Sequence, residues 1–300
     1  MDVIPFGGWD RCLRLVSGKA EALVTLDVGP RVIRYGLIDG PNEFYQSPKD
    51  AGRTGGDEYR GYGGHRLWVA PEVPELTYVP ENEPVEHQVE AEWHVFRSKP
   101  DRRGLQKELR LTPLSAHNGF KIEHRVSNHG AATVEMALWA LTVMAEGGEC
   151  LFPQHPFVPH ADRLLPVRPL VLWGYTDMSD PRWSWGRRVV RLRQDPQSGP
   201  IKVGALIQQG YAAYANHGNV FLKRFPYEEG AAYPDMGCNF ETFTRHDMLE
   251  VESLGPLRQL APGEVALHRE AWYLEAGATP PGDDEACGDW LEALVAQRPL

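Results

Sequence analysis

A histidine, an arginine and a tryptophan lie within four residues of one another, at positions His65, Arg66 and Trp68. Glycines precede this group and prolines follow it, so the backbone can turn sharply while it presents an imidazole, a guanidinium and an indole. Arginine donates hydrogen bonds to hydroxyls in a fork and tryptophan offers a flat face to C–H groups, a combination that suits a polyhydroxylated ligand. The alternative is that Arg66 pairs with Glu72 and that Trp68 belongs to the core.

Carboxylates near residue 250 form a second group of candidates. Residues 248–254 alternate apolar and polar side chains, which predicts a strand with Glu250 and Glu252 on one face, roughly 6–7 Å apart. Two close carboxylates repel each other, so the pKa of one rises and general acid/base chemistry becomes feasible. A solvated strand face gives the same alternation and is the alternative. Glu241 and Asn239 lie on a neighbouring segment and are candidates to join the site.

A third region is rich in proline and carries His155 and His160. Its length suggests the wall of a pocket, and we expect His155 to contact the substrate. The spacing of the two histidines matches no common metal motif, so the sequence predicts no metal site. No GxSxG, P-loop or strand-linked GxGxxG motif is found, and we expect no cofactor.

The composition narrows the classes of partner. The chain has 300 residues, of which 42% are hydrophobic and 24% charged, as in an ordinary globular protein. Its 31 basic and 41 acidic residues give a net charge of −10, which repels phosphate backbones and anionic lipid surfaces. The five arginines and two tryptophans of residues 181–194 resemble a surface for single-stranded nucleic acid, but an exposed strand edge fits the acidic chain better. We expect a neutral sugar as the partner, with neither nucleic acid nor a membrane; the oligomeric state is not predicted.

The N-terminal sequence and the lengths of the apolar segments indicate where in the cell the protein is expected. The first ten residues carry an early acid and lack a basic start followed by an apolar run, and no segment approaches the ~18 consecutive apolar residues of a spanning helix. We therefore expect a cytoplasmic protein. The four cysteines are scattered and form no CxxC pair, which predicts isolated buried thiols.

The elements that must position these residues are mostly short strands. The 30 glycines and 25 prolines are spread along the chain and leave little room for long helices. Period-two or apolar patterns predict strands at 22–28, 31–38, 85–95, 105–112, 120–126, 133–145, 202–208, 219–225, 248–254 and 265–275. One helix is predicted after Asp283 or Asp284, and residues 41–84 and 152–200 are expected to be long functional loops. The sequence predicts an all-β sandwich or barrel in one domain spanning residues 1–300.

Several segments resemble galactose mutarotase-like proteins. Residues 25–36 are similar to the opening of that superfamily, in which one strand leads through glycine into a second strand. Residues 250–252 and 260–264 are similar to its Leu-Glu-x-Gln strand and its later Leu-x-Pro-Gly-Glu segment. Residues 63–68 and 249–256 look like a functionally undefined, DUF4380-type branch of the superfamily.

This resemblance implies a large antiparallel β sandwich, the β-supersandwich, with a concave face that binds sugars. In mutarotases of this fold a glutamate removes the proton of the anomeric hydroxyl and a histidine protonates the ring oxygen. The resemblance places the base at Glu250, with Glu252 where the motif has glutamine; related hexose-phosphate epimerases align Glu252 as the base. It places Trp139 at the position of the acidic histidine, and an indole cannot supply that proton at pH 7.

Three hypotheses follow. In the first, the protein is an aldose epimerase or related isomerase with Glu252 or Glu250 as base, His65 as acid, and Arg66 and Trp68 holding the sugar. In the second, it has lost catalysis and binds sugar on the same face. In the third, it is a glycosidase or lyase in which Glu241 and Glu252 flank the bond that is cleaved.

Overall fold

Two antiparallel sheets, facing each other, contain all 21 strands of the computed structural model, which describes residues 2–114 and 116–300. In chain order the strands are β1 (Asp2–Phe6), β2 (Trp9–Ser17), β3 (Ala20–Thr25), β4 (Arg31–Leu37), β5 (His65–Ala70), β6 (Glu86–Glu90), β7 (Trp93–Arg97), β8 (Leu105–Leu114), β9 (Gly119–Asn128), β10 (Val134–Met144), β11 (Glu149–Pro153), β12 (Leu170–Leu172), β13 (Trp183–Trp185), β14 (Val189–Arg193), β15 (Ile201–Ala205), β16 (Tyr211–Asn216), β17 (Asn219–Arg224), β18 (Phe240–Arg245), β19 (Met248–Leu254), β20 (Arg258–Leu260) and β21 (Val265–Ala276). The helices are α1 (Pro74–Thr77) and α2 (Asp284–Ala296). The predicted all-β sandwich is confirmed.

The first sheet has eleven strands in the order β1-β2-β3-β4-β5-β10-β19-β18-β15-β12, with β20 beside β10. The second has ten strands in the order β13-β14-β11-β16-β17-β21-β9-β8-β7-β6. The main core lies between the sheets, where Tyr35, Phe44, Phe221 and Trp272 pack with ring centroids 5.6–5.9 Å apart. The sheets are therefore joined by a close-packed aromatic layer.

The C-terminal helix begins where the sequence indicates. The side chain of Asp283 caps it by accepting a hydrogen bond from the backbone N–H of Ala286 at 2.9 Å. Cys287 and Leu291 of α2 pack on a second core cluster, on the outer face of the ten-stranded sheet. Of the described helices, neither is long and apolar enough to cross a membrane. All four cysteines are buried free thiols, as predicted.

Two predictions of local structure were wrong. Residues 85–95 form not one strand but the hairpin β6–β7, in which Ala91 takes a φ of +53° at the turn. No glycine, proline or asparagine marks this turn, so the sequence carries no hairpin signal there. Residues 41–84 and 152–200 are not all loop: the first segment contains β5, which lies between β4 and β10 in the eleven-stranded sheet, and the second contains β12, β13 and β14.

Candidate functional site

A cavity of about 470 Å³ opens on the outer face of the eleven-stranded sheet, over β5, β10, β19, β18 and β15. On β19, Leu249 and Val251 point into the core between the sheets, so period-two alternation turns Glu250 to the outer side, where it lines the cavity. The two long segments expected to be functional loops supply part of the wall: Tyr59 comes from the first and Tyr175 from the second.

Two glycines bring the chain close to the sheet just before β5. Gly63 and Gly64 have φ values of +87° and +68°, in the left-handed region that favours glycine. A Cβ at either position would lie 2.3 Å from a backbone oxygen, of Tyr45 and Val32 respectively. Larger residues here would push away the strand that carries Arg66 and Trp68.

Aromatic side chains form much of the cavity lining. The rings of Tyr59, Trp68 and Tyr78 pack against one another with centroids 5.1–5.8 Å apart, and Trp68 also lies 5.3 Å from Trp139. Across the cavity Tyr175 packs edge-on to Phe243 at 6.4 Å. Flat aromatic faces beside charged groups are suited to a ligand with both C–H and hydroxyl surfaces.

Arg66 and Glu250 face each other in the cavity. The guanidinium Nη2 lies 3.7 Å from Glu250 Oε1, and its Cζ lies 4.0 Å from the ring centroid of Trp68. Glu72, the alternative partner of Arg66, instead accepts a hydrogen bond from the hydroxyl of Tyr78. Glu250 is only 8% exposed, so the alternative of a solvated strand face was wrong. Burial, and then the Glu252 carboxylate, raise the pKa of Glu250 to about 7 against the effect of Arg66.

A buried ion cluster of Glu241, Glu252 and Lys202 lies at the floor of the cavity, where Lys202 is part of the lining and the two glutamates are not. The two glutamates are cross-strand neighbours on β18 and β19, and both are fully buried. Lys202 Nζ lies 2.6 Å from Glu241 Oε2 and 3.4 Å from Glu252 Oε2. Burial raises the pKa of Glu241 well above its usual value, although Lys202 opposes the shift. Burial alone would lower the pKa of Lys202, but the facing carboxylates outweigh it and raise this pKa.

Trp139 closes the cluster from the β10 side. Its indole N–H donates a 2.7 Å hydrogen bond to Glu252 Oε2, and Lys202 Nζ lies 4.7 Å from the centroid of its ring. Glu252 thus has an ammonium and an indole as partners and does not line the cavity. Of the two candidate bases, Glu250 is the one that faces the cavity.

His65 lies on the opposite side of the sheet from its neighbour Arg66. The expectation of a loop that presents both side chains together was wrong, because β5 is a strand and its alternation directs them to opposite faces. His65 is 0% exposed, and its Nδ1 and Nε2 lie 2.9 Å and 2.7 Å from Thr142 Oγ1 and His124 Nε2. The structure does not bring His65 to the cavity, so its predicted role as acid has no geometric support.

Three other predicted site residues also lie away from the cavity. Asn239 is buried, and its side-chain amide pairs with both the N–H and the carbonyl of Ile207. His155 lines a separate cavity of about 240 Å³, where its Nδ1 lies 2.8 Å from the carbonyl oxygen of Pro156. Glu241 belongs to the ion cluster at the cavity floor. The predicted residues that line the cavity are therefore Arg66, Trp68 and Glu250.

The sequence interpretation missed Lys202, Tyr59 and Tyr175. Lys202 begins an otherwise apolar run, residues 202–207, and a lone lysine at the start of a buried strand is a usable signal for a paired charge. The two tyrosines lie outside the strands, in segments without periodicity. Only their tertiary placement associates them with Glu250.

Comparison with known proteins supports the fold. No family model matches the sequence, and no curated protein matches it. Among solved structures, a protein of Synechocystis sp. PCC 6803 is 12% identical with a TM-score of 0.59, covering 92% of this chain and 100% of that one. A galactose mutarotase-like protein from Lactobacillus casei is 11% identical with a TM-score of 0.56, covering 88% of this chain and 100% of its own. A galactose mutarotase-like protein from Clostridium acetobutylicum is 12% identical with a TM-score of 0.53, covering 92% and 98%.

These similarities define the architecture as galactose mutarotase-like. At such low identity they show the fold alone.

Proposed function

We propose that the protein binds a neutral sugar in the cavity above β19 and that Glu250 exchanges a proton with it, as in an aldose 1-epimerase. The observation that carries the proposal is the position of Glu250: a carboxyl with its pKa raised to about 7 faces an aromatic cavity beside an arginine. A general base works best when its pKa lies near the operating pH. The cavity also has the size of a small-ligand site.

The proposed chemistry begins at the anomeric hydroxyl. Glu250 removes its proton, the electrons form the C1 carbonyl, and the bond from C1 to the ring oxygen breaks. The ring oxygen takes a proton from a donor on the far side of the sugar. Rotation about C1–C2 and reversal of these steps close the ring with the other anomeric configuration.

The donor that we propose is the hydroxyl of Tyr175. This residue packs on Phe243 of β18, whereas Arg66 lies on β5, and β19 with Glu250 lies between those strands. Burial raises the pKa of Tyr175 to about 12, so the phenol keeps its proton near neutral pH. Lys202 is a poorer donor, because Glu241 and Glu252 hold its proton.

A second candidate function is sugar binding without catalysis. It is favoured by Trp139, which stands where the resemblance places a histidine and donates to Glu252. The glycosidase or lyase alternative has less support, because Glu241 and Glu252 lie beneath the cavity and share Lys202. We further propose, from the segments at 63–68 and 249–256, that the chain belongs to the DUF4380-type branch; the cytoplasmic location stays a prediction.

The test combines binding and exchange on the same sugars. NMR of freshly dissolved aldoses, with and without protein, measures the rate of anomer exchange, and line broadening or calorimetry measures binding. We expect accelerated exchange that Glu250→Gln abolishes while binding is retained. Glu86→Gln, an exposed carboxylate on β6, is the matched control and should behave as wild type.

Two outcomes would contradict parts of this proposal. If the protein binds sugars but accelerates anomer exchange for no member of a broad aldose panel, the epimerase function is excluded and sugar binding without catalysis replaces it. Absence of any binding, or binding that Arg66→Ala and Trp68→Ala leave unchanged, would show that this cavity is not a sugar site.

A further inference from the structure

A second buried polar cluster lies on the other side of β5, between the two sheets and away from the cavity. It contains His65 of β5, His124 of β9 and Glu270 of β21, all at most 2% exposed. One ligand-type atom from each lies within 4.8 Å of the others. Because β5 belongs to one sheet and β9 and β21 to the other, this cluster joins the two sheets.

We propose that His65, His124 and Glu270 bind a buried divalent transition-metal ion, with zinc as the best-matched candidate. Two imidazoles and one carboxylate are a donor set that zinc uses in proteins, and zinc ligands lie about 2.0–2.2 Å from the metal. Around a tetrahedral ion such ligand atoms lie roughly 3.3 Å apart. The Nε2 atoms of the histidines are 2.7 Å apart, Glu270 Oε2 is 3.9 Å from His65 Nε2, and the three ligand atoms lie within 4.8 Å of one another, so seating the ion requires side-chain shifts on the order of 1 Å.

The groups behind the three donors hold them in the required orientation. His124 Nδ1 lies 3.3 Å from the carbonyl oxygen of His268; a carbonyl only accepts, so Nδ1 carries the proton and Nε2 presents its lone pair. His65 Nδ1 lies 2.9 Å from Thr142 Oγ1, which can accept as well as donate. Partners on the second ring nitrogen of a histidine are typical of metal sites.

The carboxylate of Glu270 divides its two oxygens between different partners. Oε1 lies 2.9 Å from Lys223 Nζ and 2.5 Å from Ser253 Oγ. Oε2 accepts from the indole N–H of Trp272 at 2.8 Å and is the oxygen that faces His65. The ammonium of Lys223 therefore lies on the side of the carboxylate away from the histidines. It also donates hydrogen bonds to the carbonyl oxygens of Ala140 and Val251.

Binding requires one proton to move but none to leave. Without metal, His65 Nε2–H donates to His124 Nε2, and Thr142 donates to His65 Nδ1. With metal, the His65 proton moves to Nδ1, Thr142 rotates to accept it, and both Nε2 lone pairs face the ion. Both rings stay neutral throughout.

The experiment uses the full chain, refolded from urea with or without Zn²⁺, because the fully buried site must load as the protein folds. Metal content after exhaustive dialysis, the unfolding midpoint, and X-ray absorption at the zinc edge are measured. We expect about one zinc per chain, a higher unfolding midpoint with zinc, and a spectrum of two imidazoles with oxygen ligands. Thr142→Val, which removes the partner of His65, should weaken zinc binding about 10- to 100-fold.

A matched control separates this site from adventitious binding. His87 and His94 form a half-buried pair on the β6–β7 hairpin, with Nε2 and Nδ1 3.2 Å apart. The double variant H87A/H94A should keep the zinc, whereas His124→Ala should lose it. The proposal is overturned if wild-type protein holds no zinc after dialysis, if its unfolding midpoint is unchanged by zinc, or if H87A/H94A is the variant that loses the metal.

Discussion

Trp139 donates its indole hydrogen to Glu252 Oε2 across two adjacent strands, at 2.7 Å. This bond stabilises a carboxylate that is fully buried and whose other oxygen, Oε1, has no hydrogen-bond partner among the described residues. Trp139, which occupies the position of the expected acid, therefore stabilises the ion cluster at the cavity floor. Removing its hydrogen bond should lower the stability of the fold.

Trp139→Phe removes the hydrogen bond and keeps most of the ring. We expect the free energy of unfolding to fall by about 1–3 kcal/mol, because a buried charged acceptor loses a donor. Urea denaturation measures the change. Trp68→Phe is the matched control, since Trp68 packs on Arg66 rather than on a carboxylate, and it should cost less. Equal losses in the two variants would show that ring volume, not the bond, explains the effect.

The raised pKa of Glu250 predicts how stability varies with pH. Its pKa rises from 4.5 to about 7 on folding, so the folded state binds more protons between these values and stability falls as pH rises through that window. The difference corresponds to roughly 3 kcal/mol at most. Glu250→Gln should lack this loss, so its stability relative to wild type should increase between about pH 4.5 and 7. Parallel pH profiles from urea denaturation would contradict the assignment.

Alternation in the sequence was enough to predict part of this site. Residues 248–254 form β19 with the predicted bounds, and Glu250 and Glu252 share a face. The same rule places His65 and Arg66 on opposite faces once residues 65–70 are known to form a strand. That strand was not predicted, because the glycines before β5 and the prolines after it favoured a loop. A histidine at a core position also obscures the apolar face of the strand.

The sequence could not predict which of the carboxylates faces the cavity and which lie beneath its floor. Glu241, Glu250 and Glu252 are chemically alike, yet only Glu250 lines the cavity, because the ring of Trp139 and the stem of Lys202 lie over the other two. That arrangement depends on contacts between strands distant in the chain. The register of β10, β19, β18 and β15 establishes them.

The ion cluster predicts a large effect of removing its cation. Lys202→Met leaves Glu241 and Glu252 facing each other in the interior, and breaking a buried pair in this way costs about 3–5 kcal/mol. Adding Glu241→Gln should recover part of the loss, because one of the two carboxylates then no longer needs a cation. Lys121→Met, at an exposed position on β9, should change the free energy of unfolding by less than about 0.5 kcal/mol. A double variant no more stable than Lys202→Met would show that the two glutamates do not compete for Lys202.

The proposed proton donor can be identified by removing single hydroxyls from the cavity wall. Tyr175→Phe should lower the rate of anomer exchange by about 100- to 10,000-fold, the usual contribution of a general acid, while sugar binding stays nearly unchanged. Tyr78→Phe is the matched control, because its hydroxyl already donates to Glu72 and is not free to serve the ring oxygen. Tyr59→Phe tests the remaining phenol beside Arg66, and a loss of exchange there instead of at Tyr175 would move the donor to the β5 side of the cavity. Exchange that survives both single variants and the double variant would exclude a phenol as the acid and leave Glu250 to carry the proton in both directions.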